Sequence, residues 1–467
     1  MNEHAMQDTV DVARHFVLYG DGRLRFSVPF AAVVEVLRPA DYGVTDRMKR
    51  GPEGVLQHAL AKPIGTARLD ELAAGKRRAC IVVSDNTRPV PNELVLHSIL
   101  RHLEGRVTQI EILVANGLHK ALSTYAIEEL VGKRIARAYR IRNHIAGKDA
   151  ELANLGVTPL GLPITLNKQF LLSDLRILTG LVEPHFMAGF SGGRKSVCPG
   201  IAGRKTIQGL HAPALLEDPR ADFCVLRGNP VHAEALRIAE KAGVDFILNT
   251  VIDEDKALVA AAAGSLVDAW MECVKLVAEH SLVSVEEPFD VVITGNGGYP
   301  QDRNYYQTVK GLVSAVRVLK PDGILIMASE CRDGLGSEDF RRCLGTLRGL
   351  GDVDAYLEFI SQETNFTLDQ WEVEELLKVL RRTKRILLLS RDLTDQEMDL
   401  TFAERVGSVE DGMRVASSVL GEGLRVGVIP GGPYTVGSCG CKSEVMAGLG
   451  TQRGAPVSEE DRGAQKD

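Results

Sequence analysis

The sequence predicts an α/β protein made of two α/β domains with mainly parallel sheets, on three observations. Short apolar runs rich in β-branched residues recur along the chain without the polar alternation of a half-exposed strand, as expected of strands covered on both faces. Helical patterns separate these runs, which favours crossover connections and parallel pairing. The chain of 467 residues holds 46 Gly but only 5% aromatic residues, a composition suited to many tight backbone loops.

Taken in order, the predicted strands are 79–83, 109–114, 176–182, 246–251, 290–294, 323–327, 385–390 and 425–429. Pro91 opens a helical pattern over 91–103, and a second covers 304–319. Residues 257–271 read as the most apolar helical stretch, within an Ala-rich helix that ends at Glu279-His280. Beyond it Ser284-Val-Glu-Glu-Pro288 leads into a new strand, which places one domain at 1–283 and a second at 284–450. Residues 451–467 are polar with almost nothing to bury and read as a disordered tail, as do about the first ten residues.

Composition excludes several classes. With 55 basic and 62 acidic residues the formal charge is −7, which offers no electrostatic footprint for nucleic acid or an anionic membrane. The eight Cys include no CxxC pair, so neither a zinc ribbon nor a disulfide framework is expected, and Cys439-Gly440-Cys441 reads as structural. The 257–271 stretch is interrupted by Asp268 and too short to span a bilayer, and the first residues lack the pattern of a secretory signal. A cytoplasmic protein acting on a small molecule is the expectation.

Four loops share one design, a buried strand followed by a short segment dense in Gly, His, Arg or Lys, which in doubly wound sheets lies where ligands bind. In Ser84-Asp-Asn-Thr-Arg88-Pro, Arg88 and the following helix start suit an anion, although the segment also reads as a cap with a surface Arg. In Asn116-Gly-Leu-His119, the histidine can move protons near neutral pH or simply be solvated. The third loop, from Glu183-Pro-His185 through Ser191-Gly192-Gly193-Arg194-Lys195 to His211, is not a Walker A motif because Arg194 separates the glycines from Lys195. Its small residues still suit a phosphate cradle. The fourth, Gly295 to Lys310, carries Tyr306, Gln307 and Lys310 at a helix start, with Tyr306 and Lys310 on one face. His144 follows a basic stretch that reads as a solvated face, with support of a neighbouring site residue as the alternative for His144 itself.

Together, Asp85-Asn-Thr-Arg-Pro89, Gly117-Leu-His119, Glu183-Pro-His185, Gly189-Phe-Ser-Gly-Gly-Arg-Lys195, His211 and Tyr306-Gln-Thr-Val-Lys310 resemble the nickel-dependent lactate racemase family, in order and over roughly residues 10 to 440. The resemblance implies an isomerase with its active site in the interdomain cleft. It would invert C2 of a 2-hydroxy acid, lactate or a larger analogue, by reversible hydride transfer to a nickel-pincer nucleotide through a 2-oxo acid. That cofactor, pyridinium-3,5-bisthiocarboxylic acid mononucleotide nickel, would be linked covalently through Lys195, with His211 as the protein's ligand to nickel. The same match implies His119 and His185 as the acid/base pair, one for each enantiomer. It gives the substrate carboxylate to Arg88 and Lys310, the pocket lining to Tyr306 and Gln307, and orientation of the first loop to Asp85.

Loop chemistry, rather than the family match, suggests Ser191, Gly192 and Gly193 for the nucleotide phosphate. Transient contact with proteins that build the cofactor goes with the resemblance. Two departures stand out: the helix after His119 begins Ala121-Leu-Ser-Thr124 without an acidic run, and Asn86 stands where some relatives carry His, which bears on substrate choice. A nicotinamide-dependent 2-hydroxy-acid dehydrogenase is the first rival, but no GxGxxG stands in the right context. A non-catalytic nickel or sugar-phosphate binding protein would leave His119, His185 and Arg88 without a common explanation.

Overall fold

The structure is a computed structural model that describes residues 15–40, 42, 48–440, 446 and 449. The expected tail at 451–467, the first ten residues and Cys441 lie outside the described residues, while Cys439 is free and exposed.

The first sheet has six strands in the spatial order Leu258–Gly264, Phe246–Ile252, Leu175–Leu181, Arg78–Ser84, Gln109–Ala115, Arg140–Asn143, all parallel but the first. The second, also of six, runs Glu404–Arg405, Thr383–Leu389, Leu319–Ala328, Phe289–Gly295, Leu424–Ile429, Ala31–Val36, and is parallel throughout. Each of the eight predicted runs forms one of these strands. Ile81, Val82, Leu325 and Ile326 are fully buried, because helices cover both faces of each sheet. Helices Asn92–Leu103 and Tyr305–Val316 lie where their patterns put them. The second is capped by Asn304, whose side chain accepts from the Gln307 N–H at 3.0 Å.

Two expectations change. The Ala-rich stretch expected to be helical throughout begins as the strand Leu258–Gly264, and the helix starts only at Asp268 and runs to Ser281. Alanine favours helix intrinsically, but here the small side chains let the helices Gly51–Ala61 and Asp268–Ser281 pack closely on this strand. Gly264 ends it at φ +142, with Ile64 backbone occupying the space a Cβ would need. His144 does not share the exposure of the basic stretch before it: it is buried, its Nε2 donating to the Ala202 carbonyl at 2.8 Å and its Nδ1 accepting from the Asn167 amide at 3.2 Å.

The chain's first strands join the second sheet. Ala31–Val36 is its edge, and the hairpin His15–Tyr19 with Gly22–Phe26 packs on the same sheet, its Leu18 N–H donating to the Pro430 carbonyl at 3.1 Å. A division of the chain at 283/284 does not include this return. Between the sheets, apolar side chains from both form one continuous core. Ion pairs cross it: Arg381 with Glu217 at 2.7 Å, and Arg317 with Asp222. Among the described residues no helix is long and apolar enough to cross a membrane.

Candidate active site

In each sheet the strand order reverses beside one strand, Arg78–Ser84 in the first and Phe289–Gly295 in the second. At such points the outgoing loops diverge and leave a crevice. Segments after Ser84 and Leu181 leave the first reversal; segments after Gly295 and Ile429 leave the second. Arg88, Glu183, His185 and Phe186 of the first group line one cleft with Gln301, Lys310 and Tyr434 of the second. The first sheet has the order of dinucleotide-binding sheets, but the loop after its first strand, Ser84 to Pro89, contains no glycine to let backbone approach a pyrophosphate.

The loops fasten one another. Asp85 is buried and accepts from the Thr87 N–H at 3.1 Å and hydroxyl at 2.5 Å. Its other oxygen lies 2.6 Å from His119 Nδ1. Burial raises the Asp85 carboxyl, but the hydrogen bond and charge of His119, with the Thr87 bonds, hold it below the usual range. Arg88 Nη1 donates to Glu183 Oε1 at 2.7 Å, which ties the first loop to the third. The Gly117 N–H, at a residue with φ +54, reaches the Gly200 carbonyl at 2.9 Å and ties in the second.

Three histidines differ at the same ring atom. His119 Nδ1 faces the Asp85 carboxylate at 2.6 Å, so Nδ1 carries hydrogen, and the side chain is exposed. His211, at the end of the helix Arg204–Leu210, points Nδ1 at the Ile207 carbonyl at 2.8 Å, which again makes Nδ1 the donor and leaves Nε2 free for a metal. Burial brings it down to about 4, so it is neutral and fit to ligate. His185 is the reverse case. Pro184–His185 pairs with Gly189–Phe190 in a tight hairpin, and its Nδ1 accepts from the Met187 and Ala188 N–H groups at 3.2 and 3.3 Å. Burial, then the charges of Lys195, Arg88, Lys310 and Arg194, hold it well below the usual imidazole range.

Cations gather around it. Burial, with Arg194 and Arg88 nearby, lowers Lys195 to about 7, so much of it is free amine at neutral pH. Arg194 is itself buried, its guanidinium 4.1 Å over the Trp270 ring and donating to the Ala188 carbonyl at 2.7 Å. Across the cleft Lys310 donates to Gln307 Oε1 at 2.6 Å and lies 5.8 Å over the Phe186 ring, and burial lowers it to about 8.

The helix Gln370–Leu380 supplies what the sequence reading missed. Trp371 Nε1 donates to the Tyr306 hydroxyl at 3.1 Å, and its ring lies 4.9 Å from that of His211. Glu372 is buried with Oε1 lacking a hydrogen-bond partner among the described residues; burial, opposed chiefly by Lys310, pushes it up to about 8. Trp371 is one of two Trp in the chain, and Gly431-Gly432-Pro433-Tyr434 repeats the strand-then-glycine design; both were available signals.

The cleft thus brings Arg88, His185 and Lys310 together, and Gln307 adjoins it through Lys310; Tyr306 is held by Trp371, and the pair of exposed His119 and buried Asp85 is not among the residues that line it. In the segment 191–193, expected to cradle a phosphate, the donors of Ser191 and Gly193 are engaged within the protein. The Ser191 N–H goes to the Glu183 carbonyl and its hydroxyl to the Leu181 carbonyl, and the Gly193 N–H goes to Asn249 Oδ1 at 2.8 Å. Gly192 and Gly193 instead permit close packing: a Cβ on Gly193 would stand 2.9 Å from the Trp270 ring, and one on Gly192 2.8 Å from Asn249 Oδ1.

Comparison with known proteins bears on the whole chain. Residues 19–223 match the lactate racemase N-terminal domain family, and residues 284–436 the lactate racemase C-terminal domain family. A lactate racemase of Thermoanaerobacterium thermosaccharolyticum is 34% identical over 419 residues, covering 89% of this chain and 96% of its own. One from Lactiplantibacillus plantarum is 34% identical over 392 residues, covering 82% and 90%. The structure of the Thermoanaerobacterium lactate racemase apoprotein superposes with a TM-score of 0.85 at 32% identity, covering 91% of this chain and 100% of that one. A Thermotoga maritima protein shares the fold at a TM-score of 0.63 and 19% identity, over 83% of this chain and 98% of its own. With both halves matched and relatives 34% identical over most of the chain, the chain belongs to the lactate racemase family.

Proposed function

We propose that the chain is a racemase or epimerase that inverts C2 of a 2-hydroxy acid, lactate or a larger analogue, through a 2-oxo acid. The observation that carries this reading is the single cleft in which Arg88 and His185 of one sheet's loops meet Lys310 of the other's. Two cations suit a carboxylate, and an imidazole beside them suits the oxygen on C2. Removing the C2 hydrogen as a proton would leave a high-energy dianion, so removal as hydride with loss of the hydroxyl proton is the easier route.

The residues fit a nickel-pincer nucleotide. Lys195 offers an amine depressed to about 7 for a covalent link, and His211 offers a neutral Nε2 lone pair oriented through Ile207. When bound, that group supplies the hydride acceptor and donor. The chain's residues do the rest: Arg88 and Lys310 hold the carboxylate, Asp85 orients His119 to exchange the hydroxyl proton, and Tyr306 and Gln307 shape the substrate side. Engaged donors at Ser191 and Gly193 argue against a phosphate cradle there. A cytoplasmic setting and transient contact with cofactor-building proteins accompany the reading.

The test is incubation of the cofactor-loaded protein with single enantiomers of lactate and larger 2-hydroxy acids, without added nicotinamide, followed by chiral chromatography. Appearance of the mirror form is expected; its absence for every acid tried refutes the proposal.

A further inference from the structure

The loops that leave the second sheet's reversal do not stand alone, because the turn of the first hairpin is built into both. A Cβ on Gly295 would stand 2.5 Å from the Leu18 carbonyl oxygen, and one on Gly298 3.0 Å from that of Gly20. Glycine at these two positions admits a second backbone. On one side the Tyr299 N–H donates to the Gly20 carbonyl at 2.8 Å; on the other the Leu18 N–H donates to that of Pro430. The first of these loops carries Gln301 to the cleft and runs into the helix of Lys310, and the second carries Pro433 and Tyr434.

Asp302 fastens the turn. It is fully buried, and its Oδ2 accepts from the Gly20 N–H at 2.6 Å and from the Glu330 N–H at 3.4 Å. Oδ1 has no hydrogen-bond partner among the described residues. Burial raises the carboxyl against the pull of those two amides, so Asp302 serves as an acceptor of hydrogen bonds rather than as half of an ion pair. Gly20 itself sits at φ +51, where a Cβ would stand 2.7 Å from Glu330 Oε1. None of Leu18, Gly20 and Asp302 lines the cleft.

Resting on the racemase reading above, we propose that the turn at Gly20-Asp21 braces the substrate side of the cleft, and that Asp302 is the positioning residue through which it acts. Arg88 is held by Glu183 of a neighbouring loop, whereas Lys310 is held by Gln307 of its own helix. That bond orients Lys310 on the helix but does not set where the helix stands. Its start is set from outside: the Tyr305 and Tyr306 N–H groups donate to the Gly334 and Leu335 carbonyls, and the chain just before is tied by Asp302 to Gly20. A carboxylate shared between Arg88 and Lys310 senses their spacing, and a misplacement of about 1 Å is enough to be felt in kinetics.

Hydrogen-exchange mass spectrometry on the full chain, without cofactor, reads the brace directly. In Gly20→Ala, exchange should rise about 10-fold or more over 296–310 and 430–435, while 183–211 in the first sheet's loops keeps its wild-type rate. Asp302→Ala should reproduce this pattern, and Asp302→Asn, whose side-chain oxygen can still accept from Gly20, should restore slow exchange. A uniform rise along the chain, no rise in those two segments, or an Asn variant as fast as the Ala variant overturns the proposal. In the loaded enzyme, Gly20→Ala and Asp302→Ala should raise KM for a 2-hydroxy acid about 10-fold and leave kcat within about 3-fold, with nickel content and the added mass on Lys195 unchanged. An unchanged KM, or loss of nickel, overturns it as well. A wild-type enzyme inactive on every 2-hydroxy acid would refute the racemase reading instead, while the exchange pattern would still decide whether the turn holds these loops.

Discussion

Arg88 Nη1 lies 2.7 Å from Glu183 Oε1, so the guanidinium that faces the cleft is already gripped by a carboxylate from the neighbouring loop. That grip fixes the plane of the fork and leaves other N–H groups for a substrate carboxylate. Arg88→Lys keeps the charge but loses the fork. Its kcat/KM should fall about 10- to 100-fold, mainly through KM, as expected for losing one charge-assisted hydrogen bond. Steady-state kinetics with either enantiomer checks this, and an unchanged KM would count against the role.

Lys310 gives the cleft a pH limit. Its charge is present below about 8 and is lost as pH rises through that value. The kcat/KM for a carboxylate substrate should therefore fall on the alkaline side near pH 8. In Lys310→Arg, whose guanidinium stays charged, that limb should flatten even if the absolute rate is lower.

Lys195 and His211 should separate by what they retain. His211→Ala is expected to lose nickel while keeping the added mass on Lys195, and Lys195→Ala to lose both. Metal analysis together with intact-mass spectrometry reads the two quantities independently of turnover.

Asp85 couples the site to acid stability. Its carboxyl is held below the ordinary value in the fold, so its contribution is present above the ordinary carboxylate range and is lost as pH falls through the depressed value. Asp85→Asn should be less stable than wild type by about 1–3 kcal/mol at pH 7. The difference should shrink below pH 4, measured by urea unfolding across pH.

Gly193→Ala tests the packing role of the 191–193 segment. The residue sits at φ +51 and the new methyl would press on Trp270 at 2.9 Å. A loss of about 1–3 kcal/mol is expected, seen as a Tm several degrees lower; a neutral change would show that the ring gives way.

Much of this was legible from residues. Parallel strands such as 79–83 and 323–327 announce themselves because burial on both faces leaves no place for polar alternation. The loops that follow them were legible because function concentrates there. Residues 258–264 were not, since alanine suits a helix and a tightly overlaid strand equally well to the eye. Glu372 and Trp371 lie on a helix with three acidic positions among its first six, a pattern that ordinarily marks a solvent-facing surface, and it drew no attention in the sequence. Yet Glu372, Glu374 and Glu375 are all buried, because helices of both halves press on Gln370–Leu380 and no local pattern records that. Nor could spacing reveal that His119, His185 and His211 present the same atom to three different partners.

The strand Ala31–Val36 pairs with Leu424–Ile429, and Arg425 reaches Glu35 across 390 positions of sequence. During synthesis this early strand leaves the ribosome long before its neighbour exists, whereas the first sheet is complete once Gly264 has emerged. The middle of the chain therefore assembles ahead of the unit that holds both ends. A fragment designed to carry the first sheet alone should begin after Val36, because retaining that strand would leave an unclosed edge for another copy to join.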